Sequence, residues 1–185
     1  MQSLPSEGFL DPDAVVGEFA IVPGMRIADF GCGAGHVGIL AAQKTGKDGF
    51  VVAVDIMEDK LDSFRARAKA SGLENVETKR ANLEVLGSTG LPDGSQDMVI
   101  LINILFQSTK KADILKEAHR VLKSGGTVAV VDWKPGSGSG GQGFGPPPEL
   151  RTTPENMQSL FIGEGFTSER TFNAGQFHYG LIFKK

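Results

Sequence analysis

The chain has 185 residues, 40% of them apolar and 22% charged, with a formal net charge of −3 and a pI near 5.6. That length suits one domain around a single buried core, and the charge excludes the strongly basic footprint of a nucleic-acid binder, though not a local basic patch. A single cysteine rules out an internal disulfide and a cysteine-based zinc cluster, and no metal site is expected. No apolar run approaches the ~18 residues of a membrane span, and no basic–apolar–small pattern marks a signal peptide. A cytoplasmic, prokaryotic-type chain is the expectation.

Residues 1–22 read as a loose segment, sticky only at Gly8-Phe9-Leu10, and then a helix. Asp11 is its N-cap, Pro12 its first position, and Val15, Val16 and Phe19 its apolar side. Residues 25–30 form a short buried strand. Gly31, Gly33 and Gly35 then make a turn that side chains would crowd, and residues 37–45 form a helix that stops at Gly46. A strand over 50–54 ends at Asp55, 24 residues after Gly31. Next come a helix over 58–70, closed by Gly72, and a strand over 75–79.

Residues 85–97 read as a polar loop, followed by a buried parallel strand over 98–102 that ends at Asn103. An amphipathic helix over 110–123 is stopped by Ser124-Gly125-Gly126, and a fifth strand covers 127–131. Residues 135–148, rich in glycine, serine and proline, cannot pack as a regular element. At the end of a strand they read as a lid or a linker. A final helix starts at Thr153-Pro154, and a strand pair over 166–173 and 177–183 closes the chain. Strands alternating with helices predict a single α/β domain over 1–185 with a Rossmann-like, doubly wound parallel sheet.

The strand, glycine turn and helix form a cradle for a nucleotide cofactor, because backbone N–H groups and the helix N-terminus can approach a ligand. Asp55, on the tip of the neighbouring strand, is placed to accept from ribose hydroxyls. Gly33-Ala34-Gly35-His36-Val37-Gly38 matches the dinucleotide pattern G-x-G-x-x-G, so an NAD(P)-dependent oxidoreductase stays open. Asp29 argues against it: a carboxylate before the turn repels a pyrophosphate and suits an ammonium group.

Asp29-Phe30-Gly31-Cys32-Gly33-Ala34-Gly35 resembles the first motif of class I S-adenosylmethionine (SAM) methyltransferases. The resemblance extends to Val121-Leu122-Lys123-Ser124-Gly125-Gly126 and to the closing hairpin. It is greatest toward small prokaryotic UbiE-like, type-11 members, through Asn103-Ile104-Leu105-Phe106-Gln107, Asp132-Trp133-Lys134 and His178-Tyr179-Gly180. It implies a seven-stranded sheet of order 3-2-1-4-5-7-6 with strand seven antiparallel, and transfer of the SAM methyl group, leaving S-adenosylhomocysteine. It also implies roles. Gly31, Cys32, Gly33 and Gly35 admit the methionine part, Asp29 meets its amino group, Asp55 holds the ribose, and Ile56, Met57, Asn82 and Leu83 flank the adenine. Many relatives carry Asp where Asn82 stands. Asn103 would orient SAM or the acceptor.

A small-molecule or chain-end acceptor is the expectation, with a protein or RNA acceptor open and a non-catalytic SAM-binding adaptor or sensor as the alternative from another class. The Asn/Asp-Pro-Pro-aromatic loop of amino-base methylases is replaced by Asn103-Ile104-Leu105-Phe106. The cysteine of 5-methylpyrimidine enzymes is missing after the fourth and fifth strands. As general base, Asp132 and His178 are expected to meet at one rim, with His36 flanking the cofactor turn and His119 on a helix that leads away. Phe9, Trp133, Phe144 and Tyr179 are candidates for an aromatic wall around the acceptor.

Overall fold

The computed structural model describes residues 10–136 and 145–185. Phe9, Phe144 and most of the expected lid over 135–148 lie outside the described residues. Seven strands form one sheet of order β3-β2-β1-β4-β5-β7-β6. They are β1 (Arg26–Phe30), β2 (Phe50–Asp55), β3 (Val76–Arg80), β4 (Gln96–Ile102), β5 (Leu122–Trp133), β6 (Thr167–Asn173) and β7 (His178–Lys184). β1 to β5 pair in parallel, and β7 runs antiparallel to β5 and β6.

Helices cover both faces, which is why the central strands are apolar on both. Ala28, Phe30, Val52, Val99, Leu101, Val128 and Val130 pack with residues of α4 (Lys111–Val121) and α5 (Pro154–Gly163). The alternate residues Ile27, Val51, Met98, Ile100, Ala129 and Val131 pack with α1 (Pro12–Gly17) and α2 (His36–Thr45). Ala53 joins Leu61, Phe64 and Ala68 of α3 (Glu58–Ala70) in a third cluster. Phe30, Phe64 and Phe161 are fully buried, and each such side chain contributes about 1.5–3 kcal/mol of transfer free energy. Asp11 caps α1 through the amides of Asp13 and Ala14.

Two boundaries differ from the sequence expectation. The helix expected to run to residue 123 ends at Val121, and Leu122 is already extended and paired with Gln96. Lys185 supplies the stop: its ammonium donates to the carbonyls of His119 (2.5 Å) and Leu122 (2.7 Å), a helix terminus capped by a distant cation. The loop expected over 85–97 gives Gln96 and Asp97 to β4, and a buried carboxylate orders its first half. Glu117 of α4 accepts from the Gly87 amide (2.7 Å), the Thr89 hydroxyl (2.5 Å) and the Arg120 guanidinium. Burial alone would push that carboxyl up, but the bonds from Arg120, Thr89 and Gly87 hold it below its ordinary value.

Candidate active site

A cavity of about 980 Å³ opens at the carboxyl ends of β1, β2 and β4, where ligands bind in open α/β sheets. β1 delivers Asp29, and the turn after it delivers Gly31, Cys32 and Gly33. Gly31 has φ +73°, and a β-carbon there would lie 2.2 Å from Cδ1 of Ile104, so the loop after β4 closes over the turn. Gly35 (φ +84°) is the left-handed N-cap of α2 and supplies no side-chain cap to the first-turn amides. From outside, Arg67 Nε donates to the Ala34 carbonyl (3.1 Å) and fixes the turn to α3.

Asp55 ends β2 and braces the same turn. Its Oδ2 accepts from the Gly33 amide and its Oδ1 from the Met57 amide, both at 3.0 Å. Ile56 and Met57, next in the chain, line the cavity while 54% and 50% exposed, apolar surface open for a flat ligand. Across from them stand Leu83, which is buried, and Asn82, whose Oδ1 accepts from the Glu84 amide (3.0 Å). A carboxylate in place of that amide could accept in the same way.

Asp29 is 3% exposed, and its Oδ2 has no hydrogen-bond partner. Burial, and then the nearby Asp55 charge, raise its pKa from 3.8 to about 7. Gly38 makes room for it: a β-carbon there would lie 2.5 Å from Oδ2. Asn103 follows β4 in the left-handed region (φ +53°), which Asn tolerates better than most side chains. Its amide donates to the Val131 carbonyl (2.9 Å), while its buried Oδ1 has no partner. The Cys32 thiol donates to the Gly33 carbonyl (3.6 Å), and burial, with Asp29 and Asp55 beside it, pushes its pKa far up. It is a poor nucleophile.

The cavity thus brings together Asp29, Gly31, Cys32, Gly33, Asp55, Ile56, Met57, Asn82, Leu83 and Asn103. It does not bring in Asp132 or His178, and the expected pairing of those two is corrected. In the antiparallel β5–β7 ladder Asp132 lies opposite Tyr179, and His178 opposite Trp133. Facing residues share one side of a sheet and successive residues alternate, so the carboxylate and the imidazole project to opposite faces. His178 is fully buried with its ring 4.1 Å from that of Trp133, and neither of its nitrogens has a partner. Burial, then Lys134 and Arg151, lower its pKa to about 4. Asp132, also fully buried, accepts from the Trp133 amide, and burial raises its pKa to about 6.

Trp133 and Tyr179 form no wall of this cavity; the Tyr179 hydroxyl donates to the Thr152 carbonyl (2.9 Å). The lining includes residues that sequence reasoning passed over, namely Leu10, Pro12, Ile104, Gln107 and Ile114, and it includes His36 itself. Leu10, Pro12 and Ile114 were signalled only by their place at the start of a helix, whereas Ile104 and Gln107 belong to the Asn103–Gln107 stretch after β4 that carried the resemblance without a site role. Among the described residues no cluster of three or more His, Cys, Asp or Glu is placed to hold a metal ion. No helix among them is long and apolar enough to cross a membrane.

A sheet of order 3-2-1-4-5-7-6 with an antiparallel β7, and a glycine turn facing a carboxylate across β1 and β2, define the class I methyltransferase architecture. A family described as a methyltransferase domain matches residues 21–174, and the chain belongs to that family. It is 34% identical over 113 residues to an arsenite methyltransferase of Halobacterium salinarum, covering 61% of this chain and 28% of that protein. It is 33% identical over 109 residues to a demethylmenaquinone methyltransferase of Listeria welshimeri, covering 59% and 45%. The chain therefore spans less than half the length of these curated relatives. A crystal structure of a SAM-dependent methyltransferase from Aquifex aeolicus superposes with a TM-score of 0.84 and 26% identity, over 95% of this chain and 89% of that one.

Proposed function

We propose that the chain is a SAM-dependent methyltransferase acting on a small acceptor. The observation that carries this reading is the charge of the cavity. Among the described residues, Asp29, Asp55 and Glu84 line it against a single cation, Lys60, and Asp29 keeps a buried oxygen without a partner. Such a lining attracts a ligand bearing sulfonium and ammonium charges and repels the pyrophosphate of a dinucleotide. The residues present fit SAM: Asp29 would meet its ammonium, Asp55 its ribose, Ile56, Met57 and Leu83 its adenine, and the uncapped start of α2 its carboxylate.

When bound, SAM supplies a methyl group already activated as a sulfonium substituent. The chain's residues then have to hold the acceptor in line and keep water out. Ile102, Ile104 and Ile114 provide a water-excluding wall beside Asn103, whose free Oδ1 is available to orient a donor group.

The names of two relatives offer two kinds of acceptor to weigh. Arsenite is a soft centre that calls for thiolate ligands, whereas this domain offers only Cys32, buried and held in its thiol form. The cavity suits a carbon-framework acceptor better, as a demethylmenaquinone methyltransferase handles. A cytoplasmic, prokaryotic setting remains part of this reading.

The test is thermal or denaturant unfolding with S-adenosylhomocysteine, SAM and NAD(P). S-adenosylhomocysteine at a hundredfold excess over Kd should add about 2.7 kcal/mol. Stabilisation by NAD(P) alone would overturn the reading.

A further inference from the structure

The geometry points to His36 as the proton acceptor of the transfer step, for an uncharged acceptor carrying a phenol-type hydroxyl on an apolar frame. This inference rests on the methyl-transfer reading above. Of the three histidines in the chain, His119 packs edge-on against Phe166 with its ring 5.1 Å away, and His178 is enclosed beside Trp133. Only His36 lines the cavity, exposed at the first position of α2.

The lining divides along the sheet. All three carboxylates and Lys60 come from β1, β2, α3 and the segment after β3. The part built by the starts of α1, α2 and α4 and by the end of β4 with its following loop contributes Leu10, Pro12, Val37, Ile102, Ile104 and Ile114. Its polar side chains are His36, Asn103, Gln107 and Ser108. With the start of α2 taken by the cofactor's carboxylate, an anionic acceptor would meet no cationic side chain there among the described residues, and its approach would be opposed by the carboxylates. An apolar acceptor with one hydroxyl meets apolar walls, an imidazole that can accept its proton, and amides that can orient it.

The step balances. The acceptor O–H proton passes to an imidazole nitrogen of His36, the acceptor oxygen bonds the methyl carbon, and the carbon–sulfur bond of the sulfonium breaks with its electron pair left on sulfur. The products are a methyl ether, S-adenosylhomocysteine and an imidazolium, which returns its proton to solvent at the exposed end of α2.

The probes are 2-naphthol and 2-naphthoate, one frame with and without a charge. Wild type, His36→Gln and His36→Ala are compared by calorimetry for S-adenosylhomocysteine, by calorimetry of each probe on the S-adenosylhomocysteine complex, and by transfer of labelled methyl. The inference expects 2-naphthol to bind the complex and accept methyl, and 2-naphthoate to do neither. In His36→Gln the cofactor product should bind within about twofold of wild type, while transfer at pH 7 falls on the order of 10²-fold. That loss should shrink as pH rises toward the phenol's own pKa of ~10, where the hydroxyl ionises without help.

Failure of 2-naphthol to bind or react while S-adenosylhomocysteine still binds would overturn the inference and leave the methyl-transfer reading standing. Failure of S-adenosylhomocysteine to bind wild type would overturn both. A tenfold loss of S-adenosylhomocysteine affinity in both variants would make His36 a cofactor contact and overturn its role as base. Equal transfer by wild type and His36→Gln would do the same.

Discussion

Asp29 and Asp55 sit on adjacent strand tips, yet their surroundings set them to different tasks. Asp55 accepts from two backbone amides, Gly33 and Met57, and so shapes the turn before any ligand arrives. Asp55→Ala removes the brace and the proposed ribose acceptor together. S-adenosylhomocysteine affinity should fall by about 1–3 kcal/mol in calorimetry, and unchanged affinity would displace the ribose assignment. Asn82→Asp should leave binding intact or improve it, since either side chain can accept from the Glu84 amide and from an adenine amino group. A severe loss in a folded variant would show that the Asn82 NH₂ donates. Asp55 was legible from the sequence itself, because strand, glycine turn and carboxylate follow one another at short range, whereas Asn82 was expected at the site only through the family resemblance; both line the cavity. His36 was read only as a flank of that turn, since its place in the cavity depends on where α1 and the loop after β4 come to rest.

At the scale of the element, α4 shows what periodicity conveys and what it omits. The expected inward positions Leu115, Ala118 and Val121 are buried on it, Leu122 is buried as the first residue of β5, and Ile114 is buried beside them. The same face carries Glu117, fully buried, which no apolar pattern foretells. Its partners come from Gly87 and Thr89, some thirty residues away by the separations of 30 and 28, and a sequence gives no distance across such a gap. Glu117→Ala would leave Thr89 and the Gly87 amide without an acceptor and Arg120 without its inner partner. Stability should fall by about 2–3 kcal/mol, the lower side of a broken buried pair because Arg120 keeps contact with water. Urea unfolding measures this, and a change below about 0.5 kcal/mol would make the network decorative. The β5–β7 ladder illustrates the same limit for the site. The sequence placed Asp132 and His178 at neighbouring strand ends, but a register of one residue decides whether they meet, and here it separates them.

Across the whole molecule, three buried ionisable groups with unpartnered atoms, Asp29, Asp132 and His178, pull the pH dependence in opposite directions. Burial raises Asp29 from 3.8 to about 7 and Asp132 from 3.8 to about 6. Between those limits the folded chain holds protons that the unfolded chain has released, so each contribution is present at low pH and lost as pH rises. His178 is lowered from 6.5 to about 4, chiefly by burial. Between those values the unfolded chain holds the extra proton, and its contribution is present at neutral pH and lost as pH falls. From about pH 4 to 6 the imidazole therefore offsets one of the two carboxyls. His178→Phe keeps an aromatic ring against Trp133 and removes the basic nitrogens. Relative to wild type, the variant should gain most stability near pH 4.5, and the gain should shrink by pH 7.5, so its stability declines more steeply across that span. Since His178 lines no part of the cavity, S-adenosylhomocysteine affinity should not change. Urea midpoints at pH 4.5, 6 and 7.5, with calorimetry at the last, decide it: parallel stability curves would show that the enclosed imidazole finds a partner for its proton, and lost affinity would return it to the site.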